Sequence, residues 1–202
     1  MWRAGLRLGW QIVVPVLVAA VGWGLVAGVY LFGIWLANLW LLAWPVIMLA
    51  WAVAAVCTAV AVGVLWRRPG PWVAVPVLGL CLLAPVGIRA VDWASVFVHG
   101  YYRVNRDDFA AVAALARDGA FGADDYYGDR LPPELEHLSI NKKAARIGPG
   151  ATAVFLPAWA GIPDGAVGYA YLGDGPTGGR FDCFADPCQV RWSLGDGWYW
   201  LD

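Results

Sequence analysis

LGWQIVVPVLVAAVGWGLVAGVYLFGIWLANLWLLAWPVIMLAWAVAAVCTAVAVGVLW, Leu8 to Trp66, contains no charged residue. Apart from aromatic rings and a thiol, its polar side chains are Gln11, Asn38 and Thr58. A helix needs roughly 20 apolar residues to cross about 30 Å of hydrocarbon, so this run has the length of two crossings joined by a tight turn. Asn38 is the natural turn, because an amide tolerates turn geometry and sits at a lipid surface without the penalty of a charge. The reading places spans at about 9–33 and 41–65. Arg67-Arg68-Pro69-Gly70-Pro71 then stops the second with two charges and three helix breakers. A further apolar run from Trp72 gives a third span, 72–91, closed by Arg89 and Asp92.

Working outward, the charges divide the chain in two. No Asp or Glu precedes Asp92, and the basic residues before it are Arg3, Arg7, Arg67, Arg68 and Arg89. All 15 acidic residues lie from Asp92 onward. With 60% hydrophobic and 14% charged residues, the whole chain is displaced from a soluble composition, where about a quarter is charged. The expected organisation is a membrane region, 1–92, and a soluble α+β domain, 93–202. Tryptophans support the span limits, since indoles collect at membrane interfaces: Trp10, Trp35, Trp40, Trp66, Trp72 and Trp93 stand at predicted ends. Trp23 and Trp51 fall mid-span and read as helix-packing residues.

Orientation follows from short-loop Arg and Lys. The segment before span one and the Arg67-Arg68 loop are basic, whereas the Asn38 turn is not. The N-terminus is therefore expected in the cytoplasm and the C-terminal domain outside, in a multi-pass protein of the cytoplasmic membrane. The scarcity of Lys beside abundant Ala, Gly, Val, Trp and Arg suggests a GC-rich bacterial genome. The first apolar stretch runs on without a cleavage-site pattern, so it reads as a signal anchor and not a removed leader. Gly24 and Gly28 form a GxxxG pair, which lets helix backbones approach; packing within the chain is the expectation. Ionisable residues inside spans mark ion or substrate routes, and their absence before Arg89 argues against a transporter or proton pump.

In the soluble half, Asn105-Arg106-Asp107-Asp108 opens a helix over about 106–118, with Phe109, Val112, Ala113 and Ala116 on one face. Leu131, Leu135 and Leu138 mark a short helix near 132–138 that begins at a proline pair. From Lys142 to Leu201, short alternating segments between Gly and Pro turns predict an antiparallel β-meander of five or six strands. Cys183 and Cys188 bracket a Pro-containing turn, a spacing that permits a disulfide on an oxidising side of the membrane. It lacks the CxxC pairing of structural zinc sites and the helix-start setting of redox pairs.

No metal, cofactor or catalytic motif stands out. His137 has no second histidine a helical turn away, and Ser139 lacks a G-x-S-x-G context. Asp124, Asp125, Glu134 and His137 are the acids and imidazole that a tethered hydrolase would draw on. Trp159, Tyr169, Tyr171, Trp198 and Trp200 form either a binding face or the core of the domain. No basic, phosphate-seeking face points to nucleic acid. The expectation is a membrane-anchored domain that binds an envelope or membrane protein; the alternatives are the hydrolase and a lipid-binding or channel-like helix bundle.

Overall fold

A computed structural model describes residues 2–68, 70–122, 127–147, 152–161, 165–173, 175 and 178–202, with the backbone alone for 2–9. Two compact units divide the chain, Met1–Ala94 and Ser95–Asp202.

The first unit is helical: α1 (Trp2–Leu31), a short α2 (Gly33–Ala37), α3 (Ala43–Arg67) and α4 (Pro71–Ala90). Three stretches are long and apolar enough to cross a membrane: Trp10–Leu31, Trp40–Arg67 and Pro71–Ala90, with mean hydropathies of 2.4, 2.4 and 2.0. At most 22% of any such stretch is buried, so most of the apolar surface faces outward, with Leu41, Trp72 and Leu80 well exposed. The buried positions are mainly small: Ala19, Ala50, Ala54, Ala61, Ala74 and Cys81. Such residues let helices approach closely enough for dispersion contacts to accumulate. Trp23 lies across the bundle, edge-on to Trp51 at 5.6 Å between centroids, and its indole N–H donates to Thr58 Oγ1 at 3.2 Å. That matches the packing role read from their mid-span positions.

One expectation for this unit is corrected. The glycine at the close approach is Gly22: a Cβ there would lie 2.9 Å from Cys57 Cβ and 3.0 Å from Ala54 Cα. At Gly24 and Gly28 a Cβ would meet nothing within 4 Å, so the GxxxG pair does not carry packing within the described chain. The reason is angular, because Gly22 shares the stripe of Ala19 and Val26 whereas Gly24 and Leu25 turn outward. Asn38 and Leu39 form the turn expected between the first two apolar stretches; Asn38 keeps right-handed helical geometry, with its amide donating to Ile34 O at 3.4 Å. Trp40, with φ of 54°, then opens a short 3-10 turn over Trp40–Leu42.

Among the described residues, the second unit follows α5 (Trp93–Val104) and α6 (Arg106–Arg117) with eight strands: β1 (Asp129–Arg130), β2 (Lys143–Arg146), β3 (Val154–Ala160), β4 (Ala166–Tyr171), β5 (Phe181–Asp182), β6 (Pro187–Cys188), β7 (Val190–Gly195) and β8 (Trp198–Leu201). Asn105 does not cap α6 through its side chain; its amide donates back to Tyr101 O at 2.8 Å and finishes α5. The proline pair leaves too few residues to nucleate an α-helix at 132–138, and a 3-10 turn at Glu136–Leu138 forms instead, with Leu131, Leu135 and Leu138 buried.

The main sheet is antiparallel in the order β1-β2-β3-β4-β8-β7, with β5 and β6 paired apart from it. This corrects the meander: the chain passes the sheet edge, makes the β5–β6 hairpin, lays β7 outside and returns β8 against β4. Burial explains the choice. Three of the four β8 residues are buried, which suits an interior strand, whereas β7 alternates exposed and half-buried as an edge strand does. Asp196 and Gly197, with φ of 53° and 79°, make the two-residue turn between them, the left-handed pair that hairpin twist favours. At Pro157 the β3–β4 register shifts, and Gly168 opposite must be glycine, since a Cβ would fall 2.2 Å from Leu156 O.

Candidate functional site

Register assigns every aromatic of the sheet to a face. Leu156, Tyr169 and Trp200 pair across β3, β4 and β8, as do Val154, Tyr171 and Trp198, so these side chains share one face. Phe109 of α6 packs there, 4.9 Å from the Tyr169 ring and 4.8 Å from Trp198. Tyr169 also meets Trp200 edge-on at 4.9 Å, and its hydroxyl donates to Val98 O on α5 at 3.3 Å. Tyr169, Tyr171, Trp198 and Trp200 are all buried, Trp198 to 1% exposure. Of the two readings open to these residues, they are the core beneath α5 and α6. Trp159 is half-buried near the end of β3. The indole N–H groups of Trp159 and Trp198 have no hydrogen-bond partner among the described residues.

The opposite face carries the cysteines. Cys183 and Cys188 are disulfide-bonded and buried with Phe155, Ala170, Phe184 and Leu201. The loop they close holds Phe184 and Ala185 at φ of 60° and 64°, a conformation costing non-glycine residues about 1–2 kcal/mol each. What that geometry achieves is the insertion of the Phe184 ring, 5.8 Å from Phe155 and 5.3 Å from Tyr127. The hairpin thus serves as a lid over the second face of the sheet.

Among the described residues of the acidic region, His137 meets the Glu134 carbonyl and Asp108. Asp124 and Asp125 lie outside the described residues. His137 is half-exposed, with Nε2 3.3 Å from Asp108 Oδ2 on α6 and Nδ1 3.0 Å from Glu134 O. Its carbonyl accepts from the Tyr101 hydroxyl at 2.8 Å. Ser139 is buried and donates to Asn141 Oδ1 at 2.7 Å, so its hydroxyl is committed to a turn. Glu136 is bridged by Lys142 and Arg130, which hold its carboxyl below the usual range. Among the described residues, no three His, Cys, Asp or Glu are grouped to hold a metal.

Electrostatic shifts fall at the α5–sheet seam. Burial first and then Asp108 push Tyr101 to about 12. Burial first and then Asp196 push Tyr102 to about 12, and burial raises Tyr169 further. Arg106, then Tyr102, hold Asp196 below the ordinary carboxylate range; Arg106 Nη2 is 2.8 Å from Asp196 Oδ2. These groups fasten the hairpin turn to the helices. No element is assigned to residues 93–104 from the sequence, and the signal for this seam is the helical spacing of Phe97, Tyr101 and Tyr102.

The first unit holds a cleft that composition alone does not announce. It lies between α1 and α3, has a volume of about 330 Å³, and is walled by Val14, Val18, Val60 and Val64. Trp10, Gln11 and Arg68 stand at its polar end. Residues 10/11, 14/15 and 18 lie on one face of α1, and 60/61, 64 and 68 on one face of α3, so two stripes converge to make it. No protein-family model matches the chain, and neither the curated proteins nor the solved structures contain a match.

Proposed function

We propose that the protein is a multi-pass protein of the cytoplasmic membrane whose α+β domain stands outside and acts by binding an envelope-side or membrane protein. The observation that carries the reading is the pairing of two opposite surfaces in one chain. Three helices turn large apolar side chains outward, while a sheet with a buried disulfide turns its large side chains inward. Lipid suits the first surface and an oxidising aqueous compartment suits the second. Arg3, Arg7, Arg67 and Arg68 support a cytoplasmic side for the helix ends they flank.

The buried aromatics leave a partner to the exposed apolar residues of the domain, among them Val96, Val104, Tyr127 and Ile140. Thiol labelling of intact cells tests the topology, using Cys57→Ala and Cys81→Ala together and a membrane-impermeant maleimide. Labelling only after reduction supports an external disulfide; labelling that needs permeabilisation but no reductant inverts the topology. A photo-crosslinking residue at Val104 and at Ile140 tests binding. A discrete adduct supports a partner, and its absence at both positions removes the binding role.

A further inference from the structure

We infer that the α1–α3 cleft holds one anionic glycerophospholipid, an acyl chain along its valines and the phosphate on Arg68. The inference rests on the membrane reading above and gives the helices a ligand of their own. Its volume, about 330 Å³, is at the lower end of the roughly 300–1,000 Å³ typical of small-molecule sites. The wall formed by Val14, Val18, Val60 and Val64 offers nothing to a polar solute. A hydrocarbon chain fits such a wall without desolvating any polar group.

The mouth is what makes the occupant anionic. Arg68 follows the last turn of α3, where a long side chain can rest its stem on apolar surface and carry its charge to the headgroups. No carboxylate precedes Asp92 in the sequence. Asp92 itself comes after α4, whose 20 residues span about 30 Å, so no acid near the cleft in sequence neutralises Arg67 and Arg68. A guanidinium is matched to phosphate by its planar fork of donors.

A second observation concerns hydrogen bonding. Pro15 lies within α1 and has no N–H, so the Gln11 carbonyl four residues earlier loses its ordinary helical donor. Gln11 lines the cleft, and hydrocarbon leaves a carbonyl freed in this way unpaired at a cost. A headgroup bearing hydroxyls, as in phosphatidylglycerol, supplies donors there while its phosphate meets Arg68. Trp10 at the rim is placed for the ester region, where indoles are enriched.

The test uses the full chain, purified in mild detergent, delipidated and titrated with phosphatidylglycerol or phosphatidylcholine of identical acyl chains, with binding read by native mass spectrometry. One phosphatidylglycerol is expected to bind about tenfold tighter than phosphatidylcholine, because a charge-assisted contact is at stake. Arg68→Gln should bring the two lipids near parity, and Val60→Trp, which fills the cleft, should remove both. Circular dichroism and the intact disulfide establish that each variant is folded. Equal affinities in the unaltered protein, or a preference that survives Arg68→Gln, overturn the site. So does a cleft occupied by a second copy, seen as a dimer that Val60→Trp dissolves without loss of lipid. Carbonate extraction separates the two failures: release of the chain from membranes sinks the membrane reading and the site together. Retention without lipid preference sinks only the site.

Discussion

The two units use opposite rules for where large side chains go. In the helical unit alanines are the commonest buried residues, with Gly22, Cys81 and a few larger side chains such as Val26, Leu65 and Ile88, while Leu41, Trp72 and Leu80 point away from the bundle. In the sheet unit Trp198, Tyr169, Phe109 and Phe155 are the interior, and charged pairs such as Arg106–Asp196 lie outside. Water drives large apolar surface inward, with each buried side chain contributing roughly 1.5–3 kcal/mol. A hydrocarbon solvent provides no such force, so close approach through small residues and dispersion must hold helices together. The contrast teaches that one chain can carry two definitions of a core, and each definition can be broken separately.

Trp198→Ala is expected to have the largest effect. It removes a ring in contact with Phe109 and Tyr171, and substitutions of this kind cost about 3–5 kcal/mol. The sheet unit should lose near-ultraviolet dichroism and cooperative denaturation while the far-ultraviolet helical signal of α1–α4 persists. Simultaneous collapse of both signals would break the comparison, since it would make one core depend on the other.

Replacing Cys183 and Cys188 together by alanine should follow. The sequence separation is 5, and in the chain-entropy view a loop this short contributes about 2 kcal/mol, the low end of the usual range. The lid over Phe155 should loosen first, read as faster amide exchange at Ala170 and Leu201. Denaturant midpoints with and without reductant measure the effect in the unaltered protein. A midpoint that reductant leaves unchanged would reduce the bridge to an ornament of the hairpin.

Gly22→Leu against Gly24→Leu sharpens the other half of the comparison. The first drives side-chain atoms into Ala54 and Cys57, where even a Cβ lies at 2.9–3.0 Å; overpacking of this kind costs at least about 1 kcal/mol. The second meets nothing within 4 Å and should leave bundle stability unchanged. Thermal aggregation of the detergent-solubilised protein separates them. Equal loss at both glycines would mean that Gly24 packs on something beyond its own chain.

How far the sequence revealed this depends on whether a feature is local. Span limits between Leu8 and Ala90 were legible because hydropathy is a sum over neighbours that no tertiary contact can reverse. The Cys183–Cys188 bridge was legible because the partners sit on one hairpin. The choice of Gly22 over Gly24 was not, since both are glycines on one helix and only the position of α3 distinguishes them. The aromatic face was half legible: alternation put Tyr169 with Tyr171 and Trp198 with Trp200, but whether α5 and α6 or solvent covered them was a tertiary fact. α5 itself escaped because Val96, Val98, Tyr101 and Tyr102 have strand-like propensity and Gly100 interrupts the segment. The tertiary packing of Phe97, Val98 and Tyr102 overrides that preference.

The smallest effects are those of pH, and they should differ in steepness at the two ends. Tyr101 and Tyr102 titrate near 12 when folded against about 10 when unfolded. Their neutral forms are favoured by the fold, so that stability is present below pH 10 and is lost as pH rises toward 12. Tyr169 shifts in the same direction, so phenolate absorbance should appear together with unfolding and not before it. At the acid end Asp196 and Glu136 have depressed folded values. Their contribution is present above about pH 4 and fades as pH falls through the folded values. Arg106 and Asp196 are 64% and 53% exposed, so solvent and salt screen the pair and the acid limb should be shallow. Asp196→Asn isolates the charge, because asparagine tolerates the left-handed turn and still offers an acceptor to the Tyr102 hydroxyl now 3.1 Å away. It should flatten the acid limb further and bring the Tyr102 titration down, since the Asp196 carboxylate is the second cause that raises it. An unchanged Tyr102 titration would assign its shift to burial under the sheet alone.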